Sequence, residues 1–434
     1  MTVIEKSLDA VHWTTTSKEP ALSGTQAVSG EYDLAVIGAG LCGLSIARHA
    51  AEAGLRVVVC EAGQIGSGAS GRNAGFVVPH LPGAMCPEDV ETLLGRPRAE
   101  KLIDLVATGP RHVFEMIERH AIRCDPEQTG WVQPAHSRKS LERISRVFAS
   151  WQRRGADATW LGASDLHALT GAPGYMGGWL GHTGGSVNPY ALTLGLARLA
   201  QEKGAVLCEE VPVSSLMTDG NGAKVLQTTA GEIRARKVVL STNGYTLPKL
   251  GPVAHSVIPL RLFLVLTRPL TAEEREIVLP ARVSISDLRK SGGFTRLDGE
   301  NRLVTGGAVF AGANKKRYGL RHANWRIAEI FPQLAGIEIE HYWEGNCALT
   351  DSALPEIQRV NQSTYALVGF STRGLALSMT LGQEIARLLS ETKTEADMPV
   401  PVGSVRPIPM QPLKAALGAY AFPFFQARDL LKTS

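Results

Sequence analysis

Three glycines in the run Gly38-Ala39-Gly40-Leu41-Cys42-Gly43 are spaced to make a phosphate-binding turn. The first permits a tight turn, the second lets main chain approach a pyrophosphate, and the third lets a helix pack closely on a sheet. Leu41 and Cys42 open that helix, whose unpaired N–H groups would face the phosphates. Glu61, beyond a second apolar run, stands where a carboxylate accepts hydrogen bonds from the hydroxyls of an adenosine ribose. The same carboxylate argues against a phosphorylated ribose such as that of NADP. A second glycine-rich string, Ser67-Gly-Ala-Ser70-Gly-Arg72-Asn73-Ala74-Gly75, follows where a simple dehydrogenase would start another helix. Such a loop needs a partner that passes close to its backbone.

Strands and a helix must aim these turns. Leu34-Ala35-Val36-Ile37 reads as a short buried strand, residues 41–53 as a small-residue helix closed by Gly54, and Val57-Val58-Val59 as a second buried strand. Together they are a βαβ opening, the context that a G-x-G-x-x-G string requires. Between residues 81 and 171 the pattern turns helical: Leu102, Ile103, Leu105 and Val106 line one helix, and Leu141, Ile144, Phe148 and Trp151 mark a face of another. The basic residues Lys139, Arg143, Arg146, Arg153 and Arg154 of that second helix read as a solvated outer face. Asn188 and Pro189 make a good N-cap and first residue for a helix to Lys203, which Gly204 ends before a strand over 205–209. A hairpin turns at Asp219-Gly-Asn-Gly222, and Lys237-Val-Val-Leu240 returns to the sheet. Strand-like alternation over 257–270 and 282–309 predicts an antiparallel sheet in a second unit. A final strand over 366–369 precedes a helix over 374–389.

The length of 434 residues exceeds one simple core, so two joined domains are expected. Lysine and arginine total 45 against 41 acids, and a formal charge of +4 over this length is too weak to imply a nucleic-acid partner. Six cysteines with no Cys-x-x-Cys pair point to reduced thiols. The mixed polarity of residues 1–30 offers no signal-peptide core, and the expected location is cytoplasmic. No apolar run is long enough to predict a membrane span. His80, His136, His182, His255 and His341 lack metal-ligand spacing, so no metal is expected. Residues 1–30 show no periodicity and read as an arm anchored by Trp13.

The string from Ser67 to Gly75 is similar to the flavin-carrying loop of the D-amino-acid oxidase, glycine oxidase and sarcosine oxidase superfamily. Its S-G-x-S-G-R-N-x-G form resembles the γ-glutamylputrescine oxidase-like branch. The likeness runs from Tyr32 to about Pro399 through Gly185-Ser-Val-Asn188-Pro189, Val239-Leu-Ser-Thr242-Asn243-Gly244-Tyr245 and Arg302-Leu-Val-Thr-Gly306-Gly307. It continues through Trp343-Glu-Gly345, Thr350-Asp351-x-x-Leu354-Pro355 and Gly369-Phe-Ser-Thr-Arg373-Gly374. The resemblance implies FAD as cofactor and an α/β fold. A Rossmann-like, glutathione reductase-like FAD-binding domain would occupy 31–80, 181–256 and 341–400. A discontinuous α+β substrate domain on an antiparallel sheet would occupy 81–180 and 257–340, with 401–434 a C-terminal tail. The resemblance also implies that Ser67, Ser70, Arg72, Asn73, Ala74 and Gly75 lie along the cofactor, and that Thr242 and Gly244 flank its pyrophosphate side. Val213 would present backbone groups to the adenine; a plain core strand is its other reading.

Amine oxidation by a flavin moves a hydride to N5 from the carbon beside nitrogen, and the nitrogen lone pair pushes it out, so no general base is compulsory. The protein must bind the amine neutral, exclude water and set positive potential beside the flavin N1–C2=O edge. Arg373 and Gly374 at the start of the last helix meet the third demand, with Leu375 beside the cofactor in the same turn. Arg373 could instead hold the substrate. Amino-acid oxidases of the family resembled place an arginine four residues after the tryptophan of W-x-G, where it clamps a carboxylate; this chain has Cys347. A simple, secondary or ω-amine is therefore favoured as substrate unless Arg261, Arg289 or Arg302 compensates. Cys347 reads either as a covalent flavin link, as in sarcosine-oxidase-like relatives, or as a buried unreactive thiol.

The expected product is an imine that hydrolyses to an aldehyde and an amine or ammonia, with O2 reduced to H2O2. Val304 stands where relatives that reduce oxygen quickly can hold a lysine. That leaves open a dehydrogenase that passes electrons to a quinone or protein acceptor, and a non-catalytic flavin-binding protein is the remaining alternative. In the tail, Leu413, Leu417, Tyr420, Phe422, Phe424 and Phe425 with Lys414, Arg428 and Lys432 read either as packing against the body or as peripheral membrane contact. Tyr245 and Trp343 read either as walls of the substrate pocket or, as aromatic residues at strand ends more often are, as core.

Overall fold

Strands without polar alternation must be covered on both faces. Every residue from Leu34 to Ile37 and from Val57 to Cys60 is buried. These strands lie at the centre of a nine-stranded sheet in a computed structural model that describes residues 8–22, 29–310 and 314–430. Residues 1–7 and 23–28 of the expected arm, and Lys432 of the expected tail, lie outside the described residues. The strands Val206–Cys208, Val57–Cys60, Gly30–Ile37, Gly231–Leu240 and Thr364–Val368 run parallel in that order. Glu356–Asn361 and Val402–Ser404 extend one edge, and the expected hairpin, Val213–Thr218 with Lys224–Thr228, folds onto Gly231–Leu240. The helix Leu41–Glu52 is flanked by Pro189–Glu202 and Gly374–Leu389. Small residues allow this close approach: a Cβ on Gly382 would lie 2.8 Å from Ser45 Cβ, and Ser45 Oγ donates to the Met379 carbonyl at 2.6 Å. Asn188 caps Pro189–Glu202 as expected, accepting from the N–H groups of Tyr190 and Ala191.

The second sheet has eight strands in the order Ile339–Leu349, Ile258–Pro269, Arg302–Ala308, Phe294–Leu297, Ser284–Ser286, Trp131–Pro134, Gly177–Gly181 and Ala158–Gly162. Its pairings are antiparallel except between Ser284–Ser286 and Trp131–Pro134. The helix Lys315–Ile330, for which the sequence offers no strong apolar stripe, covers one face through Ala323 against Phe263 and Val265. Two boundaries move. Ile339–Leu349 pairs along its length with Ile258–Pro269, so the expected return to the first unit at residue 341 falls inside one hydrogen-bonded ladder and belongs after Leu349. Val402–Ser404 is bonded into the first sheet, so the tail starts beyond Ser404 and not at residue 401.

The arm is structured where it is described. Its short helix His12–Thr15 buries Trp13, and the Glu19 carboxylate accepts from Arg198 Nε and the Arg123 N–H, each at 2.8 Å. All six cysteines are free thiols. No helix among the described residues is long and apolar enough to cross a membrane.

Candidate active site

The first glycine turn is shaped by contacts that leave no room for a side chain. Gly38 has φ +106°, and a Cβ on Gly43 would stand 2.0 Å from the Gly38 carbonyl oxygen and 2.5 Å from Ser241 Oγ. Ser241, which the sequence reading overlooked, donates to the carbonyls of Ile37 and Gly38 at 3.0 and 2.8 Å and so closes the turn. Gly40 is the N-cap of Leu41–Glu52, with no capping side chain and no acid in the first turn. A side-chain oxygen from the second loop meets that end: the Leu41 N–H donates to Ser70 Oγ at 2.9 Å. Cys42 follows in the first helical turn, buried, its thiol pushed up to about 12 by burial and therefore inert.

Glu61 ends the second strand as expected. Its carboxylate accepts from the Ala39 N–H at 2.8 Å and the Gly63 N–H at 3.0 Å, which fixes it beside the turn. Burial raises its pKa, and these backbone bonds oppose the rise. Each oxygen keeps a second lone pair for a hydroxyl. Val213 lies buried in the first strand of the hairpin, near Val211, whose N–H donates to the Glu61 carbonyl at 2.8 Å.

The second loop is built from main-chain bonds. Arg72 Nε donates to the Ser67 carbonyl at 2.7 Å and its Nη1 to the Glu344 carbonyl at 3.1 Å, so the side chain joins this loop to the second sheet. Asn73 Nδ2 donates to the Ala69 and Ser70 carbonyls, and its oxygen accepts from the Gly75 N–H at 2.8 Å. Gly75 has φ +74° and sits so close to Val187 that a Cβ would come within 2.1 Å of its carbonyl oxygen. Two residues distant in the chain lock the loop from outside. Arg296, fully enclosed, donates to the carbonyls of Ala74 and Val187, and Trp13 Nε1 donates to the Asn73 carbonyl at 2.9 Å. Arg296 also stacks 4.9 Å over the Trp13 ring.

Three further segments converge beside these turns. A Cβ on Gly244 would meet the Cys347 carbonyl carbon at 3.3 Å, and one on Gly345 would lie 3.4 Å from Arg72 Cβ and 3.5 Å from the Tyr245 hydroxyl. Tyr245 Oη accepts the Asn346 N–H at 2.8 Å, while Thr242 bonds Thr246, hydroxyl to hydroxyl, at 2.7 Å. Asn243 Oδ1 accepts the Gly369 N–H at 2.9 Å and ties this turn to the loop that starts the last helix. That loop holds Ser371 and Thr372 at φ +46° and +67°, a conformation that costs a side-chain-bearing residue about 1 kcal/mol or more. Trp343 is buried and donates to the Arg72 carbonyl at 2.9 Å, so its role is to hold the loop.

Arg373 follows as the N-cap of Gly374–Leu389, a helix that begins at Gly374 and the buried Leu375 with no capping side chain and no first-turn acid. Its Nε is buried without a partner among the described residues, and its Nη1 makes a long 3.5 Å contact to the neighbouring Thr372 carbonyl. No carboxylate faces it among the described residues, and burial holds its guanidinium down to about 10. Burial, with the charge of Arg373 nearby, also keeps His80 well below the usual imidazole range, so His80 is neutral. Burial pushes the Cys347 thiol up to about 11, against a smaller opposing bond from the Thr372 backbone.

The wall that the second sheet turns toward these segments is apolar. Register pairs Leu260 with Cys347, Leu262 with Gly345 and Leu264 with Trp343 on one face. The three arginines that could have replaced the missing carboxylate clamp are committed elsewhere. Arg261 is paired with Glu344, Arg289 with Asp287 and Glu329, and Arg302 with Glu300 and Glu340. Val304 is fully buried beneath the arm with Leu8, Val11 and Trp13.

This donor set fits FAD. An uncapped helix N-terminus suits a pyrophosphate, a fixed carboxylate suits a ribose, and an orphaned arginine at a second uncapped helix suits the electron-accepting edge of a flavin. Comparisons with known proteins agree. The family described as FAD dependent oxidoreductase, DAO, matches residues 33–388. Gamma-glutamylputrescine oxidoreductase of Escherichia coli (strain K12) is 30% identical over 408 residues, covering 92% of this chain and 93% of that one. Glycine oxidase of Geobacillus kaustophilus is 25% identical over 379 residues, 85% of this chain and 95% of its own. The crystal structure of that glycine oxidase superposes with a TM-score of 0.70 at 23% identity, covering 85% of this chain and 96% of that chain. Turn, loop, uncapped helices and family match all lead to one statement: this chain belongs to the DAO family of FAD-dependent oxidoreductases, with FAD as its cofactor.

Proposed function

We propose that the chain oxidises a primary, secondary or ω-amine at the carbon next to nitrogen, giving an imine that water hydrolyses to an aldehyde and an amine or ammonia. Bound FAD would supply the two-electron oxidation as hydride acceptor, and O2 would take the electrons onward with two protons as H2O2. Gly38, Gly40, Leu41, Cys42, Gly43 and Glu61 would hold the adenosine and pyrophosphate end, with Val213, Thr242 and Gly244 beside it. Ser67, Ser70, Arg72, Asn73, Ala74 and Gly75 would line the length of the cofactor, and Gly374 and Leu375 its far end.

The chain's own contribution is a dry wall and one charge. Leu260, Leu262 and Cys347 exclude water and favour an uncharged amine, the form whose lone pair is free. Arg373 with its helix end supplies positive potential where negative charge gathers. The observation that carries the choice of an amine over an α-amino acid is the commitment of Arg261, Arg289 and Arg302 to carboxylates away from this wall. Likeness to gamma-glutamylputrescine oxidoreductase supports the same choice. The burial of Val304 under the arm, an apolar residue where a lysine would serve oxygen, supports a second reading in which a quinone or a protein takes the electrons.

Anaerobic mixing of the FAD-loaded protein with a panel of amines and amino acids tests both. The proposal expects bleaching by an amine and rapid recolouring in air with H2O2 formed. Bleaching that recolours only with an added quinone supports the second reading, and bleaching by α-amino acids alone refutes the substrate class.

A further inference from the structure

Nine large apolar side chains are exposed among the described residues, and five of them fall between residues 410 and 424. Met410, Leu413, Leu417, Tyr420 and Phe424 are 47 to 66% exposed; Leu413, Leu417 and Tyr420 share one face of the helix Gln411–Tyr420, with Met410 at its N-cap and Phe424 in the next helix, and together they form an apolar stripe. The stripe is not slack chain. Gln411 Nε2 donates to the Val257 carbonyl at 2.9 Å, Phe422 is buried against His322 at 5.0 Å, and buried Asp429 accepts from the Ser291 N–H at 3.0 Å. These anchors hold the helices Gln411–Tyr420 and Phe422–Leu430 on the body with the apolar stripe turned outward.

The surround is cationic. Residues 405–428 contain Arg406, Lys414 and Arg428 and no acid. Lys290 lies 5.4 Å over the Phe425 ring, and Tyr318, which bonds Gln426 at 2.5 Å, directly follows the exposed Lys315, Lys316 and Arg317 in the chain. We infer that this surface binds the face of an anionic lipid bilayer, with the stripe entering the headgroup boundary and the lysines and arginines meeting lipid phosphates. Charge complementarity favours a bilayer over a second copy of this chain, because a twofold contact would set each cationic surround against itself. The inference is independent of the substrate reading.

Co-sedimentation of the full-length, FAD-loaded protein with vesicles of phosphatidylcholine, alone or mixed with phosphatidylglycerol, tests it. Expected is partition into the mixed vesicles, weakened by salt, with Lys414→Gln losing about fivefold. The triple variant Leu413→Ser, Leu417→Ser, Phe424→Ser should abolish partition while FAD content and melting temperature hold, since these side chains are exposed. Failure of the wild-type protein to sediment with mixed vesicles at low salt overturns the inference, as does equal binding to phosphatidylcholine alone. A dimer in sedimentation velocity that the triple variant converts to monomer overturns it in favour of a second copy.

Discussion

Replacing Arg373 with methionine should move stability and function in opposite directions. The side chain is half-buried, its Nε is enclosed without a partner, and no carboxylate offsets its charge among the described residues. A guanidinium held at about 10, against an ordinary value above 12, carries about 3 kcal/mol of desolvation, and partial solvent access discounts this to about 1–3 kcal/mol. The sign follows from the depressed value. At pH 7 the group stays charged, so the whole cost is present, and it fades only as pH rises through about 10. Arg373→Met removes the charge and keeps the volume, so flavin-free protein should gain about 1–3 kcal/mol, a rise of a few degrees in melting temperature. The same change removes the counter-charge to the reduced flavin. FAD affinity should fall about tenfold or more, kcat about a hundredfold or more, and the flavin reduction potential should drop. Differential scanning fluorimetry with and without FAD, a redox titration and steady-state kinetics read all of these. A variant that loses stability without FAD, yet keeps wild-type FAD affinity and potential, would refute the assignment and make Arg373 structural.

Gly43→Ala forces a Cβ to within 2.0 Å of the Gly38 carbonyl, so it should cost about 3 kcal/mol and strip FAD from the purified protein, read by the ratio of visible to ultraviolet absorbance. The Cys347 thiol, pushed up to about 11, should resist alkylation at pH 8 in the folded protein and react only as pH approaches 11; stoichiometric labelling at pH 8 would contradict this. Acid precipitation should leave all yellow colour in the supernatant, whereas colour retained in the pellet would show a covalent link. Trp13→Ala removes a buried ring, its bond to the Asn73 carbonyl and the stacking of Arg296, so it should destabilise by about 3–5 kcal/mol and hasten FAD release in a dilution assay.

The fold was legible where chemistry and local pattern coincide. Gly38, Gly40 and Gly43 mark the turn because main chain and side chains approach where any Cβ would clash, and the helix 374–389 was bounded correctly by its glycine start and apolar stripe. Contacts made across the chain left no local trace. Arg296 sits in a short strand with nothing in its neighbourhood to say that it will pin Ala74, 222 residues earlier. Ser241 and Asn243 look like ordinary turn residues until the loops they bind are in place. The boundary at 341 failed for a related reason: Trp343 and Gly345 touch the second glycine loop while their strand is hydrogen-bonded into the other sheet. Sequence resemblance reports the contact, and backbone pairing decides the membership.

Trp13 rests on Asn73, Arg296 and Trp343, which belong to widely separated stretches of the polypeptide. During synthesis residue 13 emerges long before residue 343, so the arm has no complete seat until the later residue is out. Seating of Trp13 therefore requires the second glycine loop and the second sheet to be in place together. A nascent chain stalled before Trp343 would leave this tryptophan open to solvent and to chaperones.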